Sequence, residues 1–410
     1  MNNTSKDSDS LMKHINYESE DGDAMTIHVN RERTLRLASS LVRIPSENPP
    51  GNECEVANYL ESEMKKIGFR VFRYDFKPER PNLIGHLKAG DGRAIIFDGH
   101  MDTVPAGNPD LWITKNPFSG EVINGRLYGR GSADMKSSIA AFLSATETIL
   151  DESELEGEVL VFLVSDEEVS GLGTKDILSR GYTADMAVVG EPTALEVMIA
   201  HKGVVRWRLS TFGKSAHSSS PEKGINAIYK MAEACLELKK LSETLHKKRH
   251  PLLGSPTISI NTIRGGEKDN VIPDFCEVSI DRRLVPGEKL EDAESDLINI
   301  LEEIKGRDRE FQYRLERYLY VPPSLTKPDA DIVQLMRKAV RKVMGVEPKI
   351  SGFKATCEMV HLVNHKIPTV IFGSGKLEQA HKINEYVEVE EVIKAAEIYA
   401  HLIINATRYR

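Results

Sequence analysis

"AIIFDGHMDTVP", residues 94–105, decides the fold. Its first four residues are apolar without alternation, the pattern of a central strand buried on both faces. The run then ends on Asp98, Gly99, His100 and Asp102. In open α/β sheets ligands collect outside the carboxyl ends of strands, so a buried strand that delivers an imidazole and a carboxylate there marks a candidate site.

Further runs along the chain repeat the design. "EVLVFLVSDEE" (158–168), "ADMAVVGEP" (184–192) and "IPTVIFGSG" (367–375) are short buried strands followed by polar residues. Between them, "MKSSIAAFLSATETIL" (135–150) carries Ile139, Leu143, Thr146 and Leu150 as a helical stripe. Residues 30–68 read as helical with a break at "PSENPPGN" (45–52), and a last helix begins near 388. Alternation of strands and helices implies an α/β fold, a sheet layered with helices.

The middle of the chain departs from this pattern. "VVRWRLSTFG" (204–213) alternates strictly, with Val205, Trp207 and Leu209 on one face and Arg206, Arg208 and Ser210 on the other, as in a half-exposed strand. A helix follows, striped by Ile228, Met231, Cys235 and Leu238. Then come strands "TISINTIRG" and "CEVSIDRRLV", a helix near 288–305 and a strand near "EFQYRLER". The order β-α-β-β-α-β is that of a ferredoxin-like unit. The expected organisation is a polar mobile tail over 1–28, a large domain over 29–200 and 318–410, and a small domain over 201–317 inserted into it.

Length and composition agree. A chain of 410 residues has room for about two or three domains. The net charge of −8 argues against nucleic acid as the main partner. Four scattered cysteines, without a C-x-x-C, fit a reducing compartment, and a cytoplasmic location is expected. No apolar run approaches the ~18 residues of a membrane span. The first 24 residues lack the apolar stretch of a signal peptide, and Met25 offers an alternative start to Met1.

The ionisable residues just past the buried strands form one set: His100 and Asp102; Asp166, Glu167 and Glu168; Glu191; His381. Asp134, in "GRGSADMKSS" (129–138), stands at a helix start. Each alone has an ordinary explanation. Asp134 suits a helix cap, His100 a satisfied buried histidine, Glu167–Glu168 a solvated turn, and Glu191–Pro192 a loop start. Together they are nitrogen and oxygen donors without thiolate, which suits zinc, with cobalt or manganese as substitutes. Five ligands with one bridging carboxylate suit two divalent ions roughly 3.5–4 Å apart. A carboxylate outside the ligand set is then needed to carry the proton from water to a leaving amine. Glu167 and Glu168 are adjacent, and at a bending strand end one can bind metal while the other faces the water. "HLVNH" places His361 and His365 at helical spacing, but it lacks the Glu of H-E-x-x-H and reads as a helix surface.

These residues also carry a family resemblance. "GHMDTVP", "GRGSADMK", "SDEEVSG", "GEPT", "GKSAHSSSPEKGINAI", "NVIP" and "QAH" stand in the order seen in the co-catalytic zinc hydrolases. That family includes acetylornithine deacetylase, succinyl-diaminopimelate desuccinylase, aminoacylase and glutamate carboxypeptidase, and the chain resembles it from about residue 33 to its end. The resemblance implies a catalytic domain with a central mixed sheet flanked by helices, plus an inserted ferredoxin-like lid that also dimerises. It implies that His100 and Glu191 bind one metal, Glu168 and His381 the other, and that Asp134 bridges them. Asp102 would hold the second nitrogen of His100, and Glu167 would be the general acid/base. His217 would enter the site of a partner in a homodimer to stabilise the oxyanion. Arg283 would grip a substrate carboxylate, with Asn270 and Thr356 as further substrate contacts. Arg282, next along the strand, is expected to be a surface charge. "SGFKATCEMVHL" (351–362) departs from the family pattern at Phe353 and Lys354, and Ser374 stands where proline is common.

The function implied is hydrolysis of N-acyl-L-amino acids by metal-activated water. Cleavage of a dipeptide or a C-terminal residue is the alternative, and a silent binding protein with the same fold a remote one. The expected partners are a small N-acyl amino acid or short peptide and a second copy of the chain, with no nucleic acid and no membrane.

Overall fold

The computed structural model describes residues 27–151 and 155–408. The expected tail and the choice between Met1 and Met25 lie outside these residues, apart from two positions. Ile27 is buried in the core with Val29, and His28 Nδ1 lies 3.1 Å from Glu397, so the packed chain begins before residue 29. Two apolar residues either side of one histidine are too short a signal for periodicity to register.

The first helix, Arg31–Val42, starts where the Asn30 side chain accepts a hydrogen bond from the Arg33 amide. The proline-rich break follows, and the second helix, Cys54–Ile67, ends on Gly68, whose φ of +114° is a left-handed stop that glycine adopts without strain.

The large sheet is mixed. Its strands run in the order Arg70–Lys77, Arg80–Lys88, Glu158–Val164, Ala94–His100, Met186–Val189, Thr369–Ile371, Val197–His201, Ser324–Leu325, with Ile350–Phe353 also against Val197–His201. The four from Glu158–Val164 to Thr369–Ile371 are parallel neighbours. Successive residues on a strand face opposite ways. Ile95, Phe97, Val159, Val161 and Leu163 therefore enter one core with helices Ser137–Asp151 and Val389–Thr407. Ile96, Leu160, Phe162 and Val164 enter another, with helices Leu172–Ser179 and Met359–Asn364. Burial on both faces is the physical reason these strands read as unbroken apolar runs. Phe97 stacks on Phe142 at 4.3 Å, and the Tyr399 ring stands edge-on to both.

The small sheet is antiparallel, in the order Thr257–Gly265, Phe275–Leu284, Gly203–Phe212, Gln312–Val321, with helices Ala227–Leu245 and Leu290–Arg307 sharing its core. This is the ferredoxin-like arrangement. Val205, Trp207 and Leu209 are buried against the helices. Ser210, expected on the open face, is also buried, because neighbouring strands flank it and its hydroxyl lies 3.2 Å from Glu277. The chain leaves the large sheet at His201 and enters the small one at Gly203. The returning strand runs to Val321, past residue 317.

Candidate metal centre

The carboxyl ends of the four parallel strands meet on one rim. His100 is the last residue of its strand, Asp166–Glu168 follow Val164 by a short turn, Glu191 follows Val189, and His381 lies on the loop after Ile371. Gly190 has no room for a side chain: a Cβ would sit 2.5 Å from Met135 and 2.6 Å from Phe97. That tight passage sets where Glu191 emerges.

Asp134 is the centre of the arrangement. One carboxylate oxygen lies 3.0 Å from His100 Nε2 and the other 3.3 Å from His381 Nε2. His381 Nε2 also lies 3.1 Å from Glu168. Glu191 approaches His100 Nε2 to 3.9 Å, and its Oε1 is buried without a hydrogen-bond partner. Ligand atoms of His100, Asp134 and Glu168 fall within 4.8 Å of one another, and so do those of Glu167, Glu191 and Glu358. Asp134 is not a helix cap. It sits in the irregular turn Ser132–Lys136 ahead of the helix, at φ −122°, ψ 94°, and both its oxygens face histidines.

Asp102 acts differently from the expectation. His100 Nδ1 donates to the main-chain carbonyl of Asp102 at 2.8 Å, while the nearer carboxylate oxygen is 3.8 Å away. A residue two positions on can return its backbone to the imidazole more readily than its side chain. The carboxylate is instead turned across the rim, where it accepts the amides of Glu167 and Glu168 at 3.2 and 3.1 Å and the Asn48 amide at 2.8 Å. It therefore seats the turn that carries both glutamates. Asp166 anchors that turn from the other side. Its φ is +73°, and its carboxylate accepts from Lys77, Arg80, Asn48 and Ser170.

The charge balance is severe. Burial lowers the pKa of His100, but the hydrogen bond to Asp134 and the charges on Glu167, Asp134 and Glu191 outweigh it and hold the imidazole well above its usual range. Hydrogen bonds to Asp134 and Glu168 raise His381 to about 10. Burial pushes Glu167 well up, partly opposed by His100 and reinforced by Glu168, Asp134 and Asp102. Glu191 rises for the same reasons, burial first and then Asp134 and Glu167. Crowded buried carboxylates of this kind call for positive charge beside them. The donors are oxygen and imidazole nitrogen, the set that suits zinc. The nearby thiol of Cys357 is pushed well above its usual pKa by burial and by Glu191, so it offers no thiolate. The residues present thus fit two divalent ions, and the buried Glu191 Oε1, which has no hydrogen-bond partner among the described residues, is free to serve as a donor.

The other expected site residues make their hydrogen bonds outside this cluster. His217 pairs with Val271 in a short ribbon, and its Nδ1 lies 2.8 Å from the Ser219 hydroxyl. Asn270 accepts the Ser218 amide at 3.0 Å. Arg283 donates to Asp281 at 2.7 Å, and the Thr356 hydroxyl donates to the Lys202 carbonyl at 3.0 Å. Arg282 is not a surface charge: it is buried and paired with Glu288 at 2.8 Å, because the strand end folds under the loop that follows. His361 is half-buried and His365 exposed at the end of helix Met359–Asn364, apart from the rim donors.

Sequence reasoning missed Glu385 and Glu358. Glu385 is buried and accepts the amides of Ala133 and Asp134 at 2.9 and 3.1 Å on one oxygen, and Arg130 at 2.6 Å on the other. Glu358 is buried beside Glu167 and Glu191, and neither of its oxygens has a hydrogen-bond partner. Neither follows a buried strand, the signal by which the other acids were found.

Comparison with known proteins places this architecture. Residues 96–405 match the model of peptidase family M20/M25/M40. Acetylornithine deacetylase from Pectobacterium carotovorum is 32% identical over 383 residues, covering 90% of this chain and 96% of that one. N-formyl-4-amino-5-aminomethyl-2-methylpyrimidine deformylase from Halalkalibacterium halodurans is 30% identical over 395 residues, covering 89% and 92%. The crystal structure of aminopeptidase PepT from Bacillus cereus superposes with a TM-score of 0.77 at 24% identity, covering 93% of this chain and 100% of that one. Family match, full-length relatives and fold agree: the chain belongs to peptidase family M20/M25/M40 and is a metal-dependent hydrolase of amide bonds.

Proposed function

We propose that the protein removes an acyl group from the nitrogen of an amino acid, using two divalent ions, zinc foremost. His100 and Glu191 would hold one ion, Glu168 and His381 the other, with Asp134 between them. The observation that carries this reading is the Asp134 carboxylate, whose two oxygens face two different histidines. When bound, such ions polarise the scissile carbonyl and lower the pKa of water.

The chain's own residues supply the rest. Glu167 has the raised pKa of a proton carrier, set first by burial and then by its neighbouring carboxylates, and lies within ligand-sharing distance of Glu191 and Glu358. It takes a proton from water as the water oxygen bonds to the carbonyl carbon, and delivers it to nitrogen as the C–N bond breaks. Asp102 holds the Glu167 amide and so fixes the angle of that carboxylate. Arg283 grips the substrate carboxylate with a guanidinium suited to bidentate pairing, and Asn270 and Thr356 add polar contacts. His217 lies in an exposed ribbon with the hydrogen bonds of its imidazole confined to Ser219 of its own loop, which supports a role toward the partner subunit in a homodimer. The reading places the enzyme in the cytoplasm.

The two full-length relatives are named for removal of acetyl and formyl groups, which favours deacylation over peptide cleavage. A panel of N-formyl, N-acetyl and N-succinyl amino acids and dipeptides, run on metal-loaded protein, tests it. Release of the free acid with a free amino acid supports the reading, and turnover of dipeptides alone overturns it.

A further inference from the structure

Three segments meet where the chain passes from the large sheet to the small one, and each brings a cation. The Lys202 amide donates to the Phe353 carbonyl at 3.3 Å, which sets Lys354 beside it. The Thr356 hydroxyl closes the same contact on the Lys202 carbonyl. Across the small sheet Val204 pairs with Arg283, which brings that guanidinium to the same corner.

The corner is unevenly charged. Arg206 and Arg283 share the single carboxylate of Asp281, and Arg282 takes Glu288. Lys202 is 8% exposed, and its ammonium donates to the Ser255 carbonyl at 2.7 Å; among the described residues no carboxylate pairs with it, and Glu288, already held by Arg282, acts on it only from a distance. Lys354 is exposed and has no hydrogen bond or ion pair among the described residues. Burial lowers the Lys202 pKa, and repulsion from Lys354, Arg283 and Arg282 lowers it further. Lys202 and Lys354 are thus the two cations of this corner without an ion pair among the described residues, and a buried ammonium such as Lys202 is stabilised by an anion nearby.

A short run of chain links the corner to the candidate metal centre. Lys354 is four residues before Glu358, whose carboxylate lies with those of Glu167 and Glu191. Four residues span at most about 14 Å, the scale of an N-acyl amino acid with an extended side chain. Arg283 alone answers one carboxylate. Lys354, backed by the buried charge of Lys202, is left for a second.

We propose that Lys354 is a specificity residue and that the preferred substrate is an N-acyl amino acid carrying a second carboxylate besides the α-carboxylate. This deepens the deacylase reading and rests on it. The same corner disfavours a side-chain ammonium, so N-acyl derivatives of basic amino acids should be the poorest of the series.

Two measurements on metal-loaded protein decide it. The first is kcat/KM for N-acetyl-L-glutamate, N-acetyl-L-glutamine and N-acetyl-L-ornithine. The expected order is acidic, neutral, basic, and Lys354→Met should cut the glutamate-to-glutamine ratio about tenfold, the size of one charge-assisted contact. Lys354→Glu should reverse the preference; Lys354 is exposed, so neither variant threatens the fold. The second is calorimetric binding of glutarate against its monoamide, which needs no turnover. Tighter binding of glutarate, lost in Lys354→Met, supports the subsite even if every N-acetyl substrate is inert, the result that would sink the deacylase reading alone. Equal binding of the two probes, or a glutamate-to-glutamine ratio that Lys354→Met leaves unchanged, overturns the proposal.

Discussion

Glu385 offers a sharp test of how Asp134 is held. Its carboxylate accepts two amides, from Ala133 and Asp134, and pairs with Arg130, and both partners of the ion pair are nearly sealed from solvent. Glu385→Ala would leave two amides without their acceptor and one buried guanidinium without its counter-charge. Removing one partner of a buried pair costs about 3–5 kcal/mol, and the orphaned guanidinium accounts for most of it. A second substitution, Arg130→Met, removes that orphan. The double variant should therefore be more stable than Glu385→Ala alone, although it carries one more change. The Asp134 backbone, released from Glu385, should also weaken metal binding by about 10–100-fold. Chemical denaturation of the two single variants and the double variant, with calorimetric zinc titration, reads both effects. A Glu385→Ala protein within about 1 kcal/mol of wild type, or a double variant that is simply the sum of the two singles, would refute the reasoning.

Three other outcomes are expected. Glu167→Gln should keep its metal, by elemental analysis, while kcat falls about 10²–10⁴-fold; undiminished turnover would remove Glu167 from proton transfer. Chelation should abolish amide hydrolysis and zinc or cobalt should restore it, whereas full activity in protein shown to be metal-free would contradict the assignment of the centre. Stability should also depend on acid through His201, which is fully buried and held near a pKa of about 4 by burial. Its unfolded pKa is about 6.5, so the unfolded chain takes up the proton first. The contribution is complete above pH 6.5 and is lost as pH falls toward 4, at up to about 1.4 kcal/mol per pH unit. His201→Leu should flatten the denaturation midpoint between pH 6.5 and 4, and an unchanged slope would discard this account.

The candidate rim was legible in part because its residues follow strands whose burial is written in their composition. His100, Glu168 and Glu191 each stand just past an apolar run. Asp134 needed more. Its helix-start position is equally good for a cap, and only the two histidines on its oxygens separate the two roles. Asp102 was found, but its bonding partner was not. A side chain two residues away looked like the holder of the imidazole, whereas the carboxylate reaches amides more than sixty positions on.

What the amino-acid sequence determined by itself is what repeats over a few residues: which runs are strands, which face of each is buried, the β-α-β-β-α-β order of the small unit, and which donors leave the strand ends. Only the tertiary structure decided which groups are paired. Glu385 receives the Asp134 amide across 251 positions, Glu358 is buried beside Glu167 and Glu191, and Lys354 reaches Lys202 through a single carbonyl. Periodicity reports the environment of one residue. A hydrogen bond or ion pair between distant segments depends on how whole elements pack, and that is set by the cores rather than by the residues that meet.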